Sequence, residues 1–289
     1  MDKTEIKKYI KDSGKVCGGK SNFIKFLFSL IDICEAPEFM NYMETSRFES
    51  SLPIDFAGRT GRFIHYLRFK KNLPLKLRKL AGYNSTMRII NIMKKAQFKI
   101  IRAFEIVLFC GEVFNVFPNT IISCEWDFKK REFKKFTLYI VCGKDFNRGK
   151  CQKFSEIVGI KDPHLIYKLS RNIDFLGLDF FYNGDIVVKI YNRFPVSYKF
   201  KPMKWEDKIF KTLGDELISV IRVTRINVGK EEISENEKSH FITKGILFSL
   251  FLKDFDFKLT ECFFSLFENK KVQVISIGKD SLIREIYFD

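Results

Sequence analysis

The sequence repeats a pair of short alternating segments joined by a turn, and this repeat limits the chain to an antiparallel architecture. The clearest pair covers residues 175–182 and 186–193. Asn183-Gly184 joins the two segments and is among the strongest short signals for a β-hairpin. Four further pairs are predicted at 43–53 with 62–70, 121–129 with 133–142, 218–228 with 239–243, and 272–277 with 282–288. The sequence therefore predicts five hairpins.

Helical segments, with apolar residues three and four positions apart, separate the hairpins. They are predicted at 73–116, 150–170, 204–213 and 248–268. Residues 1–40 are predicted as N-terminal helices, and residues 41–289 as hairpin and helix units, within a single domain of 289 residues. Isolated hairpins expose unpaired strand edges, which closure into a barrel removes. The predicted fold class is α+β: a ten-stranded antiparallel β-barrel of repeated α-β-β-α units with helices outside.

The second strands of four predicted hairpins carry basic residues interleaved with a tyrosine. These groups are Arg62 to Arg68 around Tyr66, Lys135 to Tyr139, Lys189 to Tyr191, and Arg284 to Tyr287. Residues two apart in a strand share a face, so Lys189 and Tyr191 are expected to point the same way. A closed barrel would gather these side chains into one lumen that suits an anionic ligand.

The formal net charge of +16 favours anionic partners, which include nucleic acid, membrane headgroups and diphosphates. A basic nucleic-acid-binding protein without catalysis is therefore one alternative. A second alternative comes from residues 14–21, GKVCGGKS, which match the GxxxxGK[ST] phosphate loop. That loop requires a buried strand before it. The preceding EIKKYIKDS is too polar for one, so a helix-to-helix turn is the preferred interpretation.

Other residue types point to a cytoplasmic protein. The seven cysteines contain no CxxC pair, so neither a zinc site nor a disulfide framework is indicated. The N-terminus is polar and lacks the order of a signal peptide, and the longest apolar run, 245–252, is too short to span a bilayer. His65, His164 and His240 are isolated and show no metal-ligand spacing, so each is expected to be structural or exposed.

In its element order over residues 40 to 289, the chain resembles the ABBA-type aromatic prenyltransferases, and its length is similar to that of small bacterial and cyanobactin-type members. Lys189-Ile190-Tyr191 looks like the Lys-x-Tyr that the family carries on a lumen-facing strand. Phe48-Glu49-Ser50 is similar to the place where members keep a glutamate that holds or deprotonates the acceptor. The fourth hairpin departs from the pattern, with Arg222-Val223-Thr224-Arg225 and no clear Lys-x-Tyr.

The resemblance implies transfer of an allylic isoprenoid group from its diphosphate to an aromatic small molecule or a peptide side chain. It implies Glu49 as the catalytic carboxylate. The implied diphosphate-binding residues are Arg62, Arg68, Lys135, Lys189, Arg222, Arg225 and Arg284. The implied carbocation shield is Tyr66, Tyr139, Tyr191 and Tyr287. The chain has no DDxxD motif, so we expect direct contact with cations and no obligatory cofactor or metal, although Mg²⁺ could assist.

Overall fold

A computed structural model of the chain describes residue 11 and residues 43–47, 60–69, 74–95, 101–113, 119–127, 132–141, 147–169, 173–197, 200–230, 232–254 and 269–288. The predicted helices of residues 1–40, apart from residue 11, lie outside this set. The phosphate-loop match at 14–21 and the candidate carboxylate Glu49 also lie outside it.

The described strands form one antiparallel sheet, in which each strand pairs with its neighbours in chain order. The strands are β1 Met43–Arg47, β2 Thr60–Phe69, β3 Asn119–Asp127, β4 Glu132–Val141, β5 Ile173–Phe181, β6 Ile186–Pro195, β7 Leu217–Asn227, β8 Glu232–Leu247, β9 Lys271–Gly278 and β10 Ile283–Phe288. Among the described residues, no pairing joins β1 to β10. Closure of the sheet into a barrel therefore stays a prediction.

Helices lie between the hairpins, and the predicted segment 150–170 is divided into two helices. The helices are α1 Leu75–Lys95, α2 Ile101–Val113, α3 Arg148–Val158, α4 Pro163–Leu169, α5 Asp207–Leu213 and α6 Phe248–Asp254. The break between α3 and α4 has a local cause. Gly159 takes a left-handed φ of 89° and donates its N–H to the Ser155 carbonyl, which ends α3. None of the described helices is both long and apolar enough to cross a bilayer.

The eighth strand is much longer than predicted. The predicted second strand of this hairpin covered only residues 239–243, but β8 begins at Glu232 and runs to Leu247. Ile233 and Ser234 continue the ladder with β7, opposite Ile226 and Arg225. Because residues 232–235 are exposed, this part of the strand carries polar side chains without the apolar alternation that marks a strand in sequence. The sequence pattern therefore did not predict this part of β8 as a strand.

One face of the second half of the sheet is covered by helices. Ile209 and Leu213 of α5 and Phe248 and Phe251 of α6 are at most 4% exposed. They belong to an apolar cluster with residues of four strands: Val220, Phe241, Val272, Ile275, Ile277 and Ile286. We call this side of the sheet the helix-covered face and the opposite side the inner face. Burial of large apolar side chains, at roughly 1.5–3 kcal/mol each, stabilises this layer.

Candidate active site

At β4 the inner face is as well buried as the helix-covered face, although it carries polar residues there. On β4, Phe136, Leu138 and Ile140 alternate with Lys135, Thr137 and Tyr139. The apolar row is at most 2% exposed and the polar row at most 8%. A strand buried on both sides must be covered on both sides. The inner face at β4 is therefore enclosed, and its charged groups are removed from bulk solvent.

A buried carboxylate, Asp179 of β5, joins two of the predicted diphosphate-binding residues. Its Oδ2 lies 2.7 Å from the Nζ of Lys135 and 2.6 Å from the Nζ of Lys189. Thr137 donates a 2.6 Å hydrogen bond from Oγ1 to Oδ1 of Asp179. Strand pairing thus brings Lys135, which is 44 residues from Asp179 in sequence, and Lys189 to one point of the inner face.

The charges in this cluster stabilise one another. Burial alone would raise the pKa of Asp179, but Lys135 and Lys189 outweigh it and hold the pKa well below its usual range. A second carboxylate, Glu125 of β3, lies 3.1 Å from Lys135 and 2.7 Å from Lys134. The lysine positions are thus fixed before any ligand arrives, as electrostatic preorganisation requires.

Aromatic rings from four successive second strands form a continuous arc on the inner face. The ring centroids are 6.0 Å apart for Tyr139 and Tyr191, 5.9 Å for Tyr191 and His240, and 6.1 Å for His240 and Tyr287. All four side chains are buried, between 3% and 9% exposed. We call these four residues the aromatic arc. It includes three of the four tyrosines predicted as a carbocation shield.

A missing side chain makes room for the arc. Gly177 of β5 pairs with Tyr139 on one side and Lys189 on the other. A Cβ at this position would lie 3.0 Å from a ring carbon of Tyr191 and 3.5 Å from one of Tyr139. The first distance is shorter than ordinary van der Waals contact. Glycine therefore permits the two rings to lie directly over the β5 backbone.

Two more predicted cations lie on or beside the inner face but are exposed. Arg225 pairs with Lys189 across β6 and β7, and its Nη1 lies 3.9 Å from Glu237 at 41% side-chain exposure. Arg284 forms an ion pair with Asp280. Together with Glu237, Lys238, Gly278, Lys279 and Asp280, Arg284 lines an open cavity of about 390 Å³. Each of these two arginines is thus paired with a carboxylate and remains accessible to solvent.

Arg222, in contrast, lies on the helix-covered face. It pairs with Asn192, which is the neighbour of Tyr191 on β6. Because successive residues of a strand point to opposite faces of the sheet, Arg222 lies on the face opposite to Lys189 and Tyr191. Its guanidinium contacts both carboxylate oxygens of buried Glu206, at 3.1 and 2.8 Å. It also lies 5.1 Å from the ring centroids of Phe194 and Phe200. The structure thus does not bring Arg222 to the other predicted diphosphate-binding residues. Arg222 instead holds Glu206, the residue before α5.

The predicted residues of the first hairpin are placed only by the backbone. Arg62 pairs with Glu125, Tyr66 with Ile121, and Arg68 with Asn119. Glu125 also pairs with Lys135, and Ile121 with Tyr139. By register, Arg62, Tyr66 and Arg68 therefore belong to the inner face. Glu49 lies outside the described residues, as stated above.

Comparison of the sequence with protein-family models and with curated proteins finds no match. Comparison of the structure finds clear similarity. A 5-dimethylallyl tryptophan synthase from Streptomyces coelicolor, in complex with DMASPP and Trp, aligns at TM-score 0.60 and 9% identity, covering 98% of this chain and 93% of that one. A second structure of that enzyme aligns at TM-score 0.61 and 10% identity, covering 98% of this chain and 95% of that one. The prenyltransferase PriB, in a ternary complex with L-tryptophan and dimethylallyl thiolodiphosphate, aligns at TM-score 0.54 and 10% identity, covering 98% and 94%.

The chain shares the fold of these prenyltransferase structures. The fold-level part of the resemblance seen in sequence is thereby confirmed. Similarity at such low identity extends to the fold alone, so the roles of individual residues must be argued from this chain's own geometry.

Sequence reasoning missed three members of the site. Asp179 and Glu125 carry no local signal, because their lysine partners are set by strand register. His240, which was expected to be structural or exposed and was not included among the site residues, is buried at 7% exposure within the aromatic arc. A signal for it did exist: Lys238-Ser239-His240 on the second strand of the fourth hairpin repeats the spacing of Lys189-Ile190-Tyr191, with an imidazole in place of the phenol.

Proposed function

We propose that this protein is a prenyltransferase that moves an allylic isoprenoid group from its diphosphate to an aromatic small molecule or a peptide side chain. One observation carries the proposal. Lys135 and Lys189 are buried at 8% and 5% exposure on the same inner face as Tyr139, Tyr191 and Tyr287. Preorganised cations beside aromatic faces match the two charges that develop when an allylic diphosphate ionises.

In the proposed reaction, the bond between the allylic carbon and the diphosphate oxygen breaks, and the electron pair leaves with the diphosphate. Lys135 and Lys189 stabilise the negative charge of the leaving group. The rings of the arc stabilise the allyl cation by cation–π attraction, about 1–2 kcal/mol per ring when desolvated, and keep water away from it. The aromatic acceptor then forms the new bond and loses a proton, which we assign to Glu49.

The remaining features of the site follow from the same proposal. We infer that the sheet closes into a ten-stranded barrel of α-β-β-α units and that Arg62, Arg68, Arg225 and Arg284 add to the diphosphate site. Tyr66 would extend the aromatic surface on the first hairpin. Mg²⁺ is not required in this account, because lysines already lie at the site. The burial of Lys135 and Lys189 favours a small ligand over nucleic acid, whose phosphates need exposed cations.

A transfer assay tests the proposal. The protein is incubated with isotope-labelled dimethylallyl, geranyl or farnesyl diphosphate and with L-tryptophan, L-tyrosine or short peptides that contain either residue. We expect mass spectrometry to detect a prenylated acceptor and an equal amount of released diphosphate. The Lys135→Met variant should lose this product, while Lys153→Ala, at an exposed position of α3, should keep it.

Absence of both transfer and donor binding with all three diphosphates would contradict the proposal. The alternative function has its own signature: steeply salt-dependent binding of duplex or single-stranded nucleic acid that Lys135→Met leaves unchanged.

A further inference from the structure

In the aromatic arc, His240 occupies the position that a tyrosine occupies in the other three hairpins that form the arc. It lies on β8, the second strand of the fourth hairpin, as Tyr139, Tyr191 and Tyr287 lie on β4, β6 and β10. The ring of His240 is stacked with Tyr191 at an interplanar angle of 27° and meets Tyr287 edge to face at 68°. Without it, Tyr287 would be separated from the rest of the arc. The imidazole therefore completes the surface.

An imidazole differs from a phenol in one property that matters for a cation. A phenol stays neutral up to about pH 10, whereas a histidine ordinarily gains a positive charge near pH 6.5. A neutral imidazole attracts an allyl cation through its π face, and an imidazolium repels it. On the proposed function, we propose that His240 is the fourth ring of the carbocation shield, and that it acts only as neutral imidazole, so that its protonation switches transfer off.

The groups around His240 come from five strands. The rings of Tyr191 of β6 and Tyr287 of β10 contact the His240 ring, and Ser276 of β9 and Ile221 of β7 pair with His240 in register. Three charged residues complete the surroundings. Lys238 is two positions away on β8, Arg193 pairs with Ile221 and is bonded to Asp174, and Glu285 pairs with Ser276. By register, Lys238, Arg193 and Glu285 belong to the same face of the sheet as His240.

The pH dependence of transfer tests this inference. We expect the rate of the wild-type protein to fall about tenfold per pH unit below the midpoint of an acid limb. In His240→Phe and His240→Tyr the ring is kept but cannot become cationic. These variants should retain transfer and lose the acid limb. His240→Ala should transfer roughly tenfold more slowly, because the stabilisation of the allyl cation by one ring is lost. It should also release more prenyl alcohol, because water reacts with the less shielded cation.

The matched control is His164→Gln, since His164 is exposed at the start of α4, and this variant should keep the wild-type limb. Binding of dimethylallyl thiolodiphosphate checks that each variant has a formed site. In the wild-type protein, the NMR titration midpoint of His240 should coincide with the midpoint of the limb, a readout that needs no variant.

Two results with the variant His240→Phe overturn the inference while the proposed function stands: an unchanged acid limb, or binding of the analogue without transfer at any pH. The second result would assign His240 a proton-transfer role. A mismatch between the NMR midpoint and the limb also overturns it. If the wild-type protein neither transfers a prenyl group nor binds the analogue, the proposed function and the inference fall together.

Discussion

Replacement of Lys189 by alanine is expected to weaken binding of dimethylallyl thiolodiphosphate at least about 30-fold. The side chain of Lys189 is 6% exposed, and its Nζ lies 2.6 Å from Oδ2 of Asp179. Truncation of one partner in a buried charge contact costs about 2–5 kcal/mol, and each 1.4 kcal/mol is tenfold in Kd. Isothermal titration calorimetry of the wild-type and variant proteins measures the change.

The control is Lys153→Ala, which removes the same charge from an exposed position on α3. It should leave the affinity within about twofold, because a solvated lysine contributes little. Equal affinities for the two variants would show that the diphosphate binds away from Lys189, and the assignment of the inner face as the donor site would be wrong.

Replacement of Asp179 by asparagine is expected to destabilise the fold by roughly 3–5 kcal/mol, because two buried ammonium groups lose their carboxylate. Asp179 is 1% exposed and contacts both Lys135 and Lys189. Urea denaturation near neutral pH measures the loss. Asp174→Asn is the matched control on the same strand. Asp174 pairs with Arg193 at 32% and 44% side-chain exposure, so its loss should be within about 1 kcal/mol.

The deficit of Asp179→Asn should also depend on pH. The pKa of Asp179 is held below its ordinary value in the folded protein, so its ionised form contributes stability above the unfolded value of about 3.9. This contribution is lost as the pH falls below about 4. The stability difference between the wild type and Asp179→Asn should therefore shrink in acid. A difference that stays constant through this range, or equal losses in the two asparagine variants, would contradict the ion-pair account.

The hairpins were predictable because alternation and turn chemistry are local signals. The third hairpin is the best case: Asn183-Gly184 fixes the turn, and β6 begins at Ile186 as predicted. The break between α3 and α4 was less apparent, although Gly159 and Pro163 marked it in the sequence. The first half of β8 was missed because, apart from Ile233, its side chains are polar on both faces of the strand. Alternation of apolar residues indicates a strand with one buried face, and residues 232–235 of β8 are exposed.

For the site, spacing identified the side chains but not their partners. Lys189 and Tyr191 were found because residues two apart share a face. The choice between Arg222 and Arg225 could not be made in the same way, since only the register with β6 shows that Arg225 pairs with Lys189. Asp179 was invisible for a related reason: its contacts with Lys135 and Thr137 span 44 and 42 residues. Such contacts depend on which strands are neighbours.

His240 shows a different limit. The fourth hairpin has no clear Lys-x-Tyr, but Lys238-Ser239-His240 has the same spacing with another ring. Physical chemistry would have allowed it, because a neutral imidazole also presents a π face to a cation. The three-dimensional arc, with ring centroids about 6 Å apart, is what brings the histidine into the set.

A crystal structure of the protein with dimethylallyl thiolodiphosphate bound would test the central claim most directly. The account predicts the diphosphate oxygens within hydrogen-bond distance, about 3 Å, of the Nζ atoms of Lys135 and Lys189. It also predicts the allyl group against the rings of Tyr191 and His240. A diphosphate bound on the helix-covered face, or a soaked analogue that leaves the inner face empty, would contradict it.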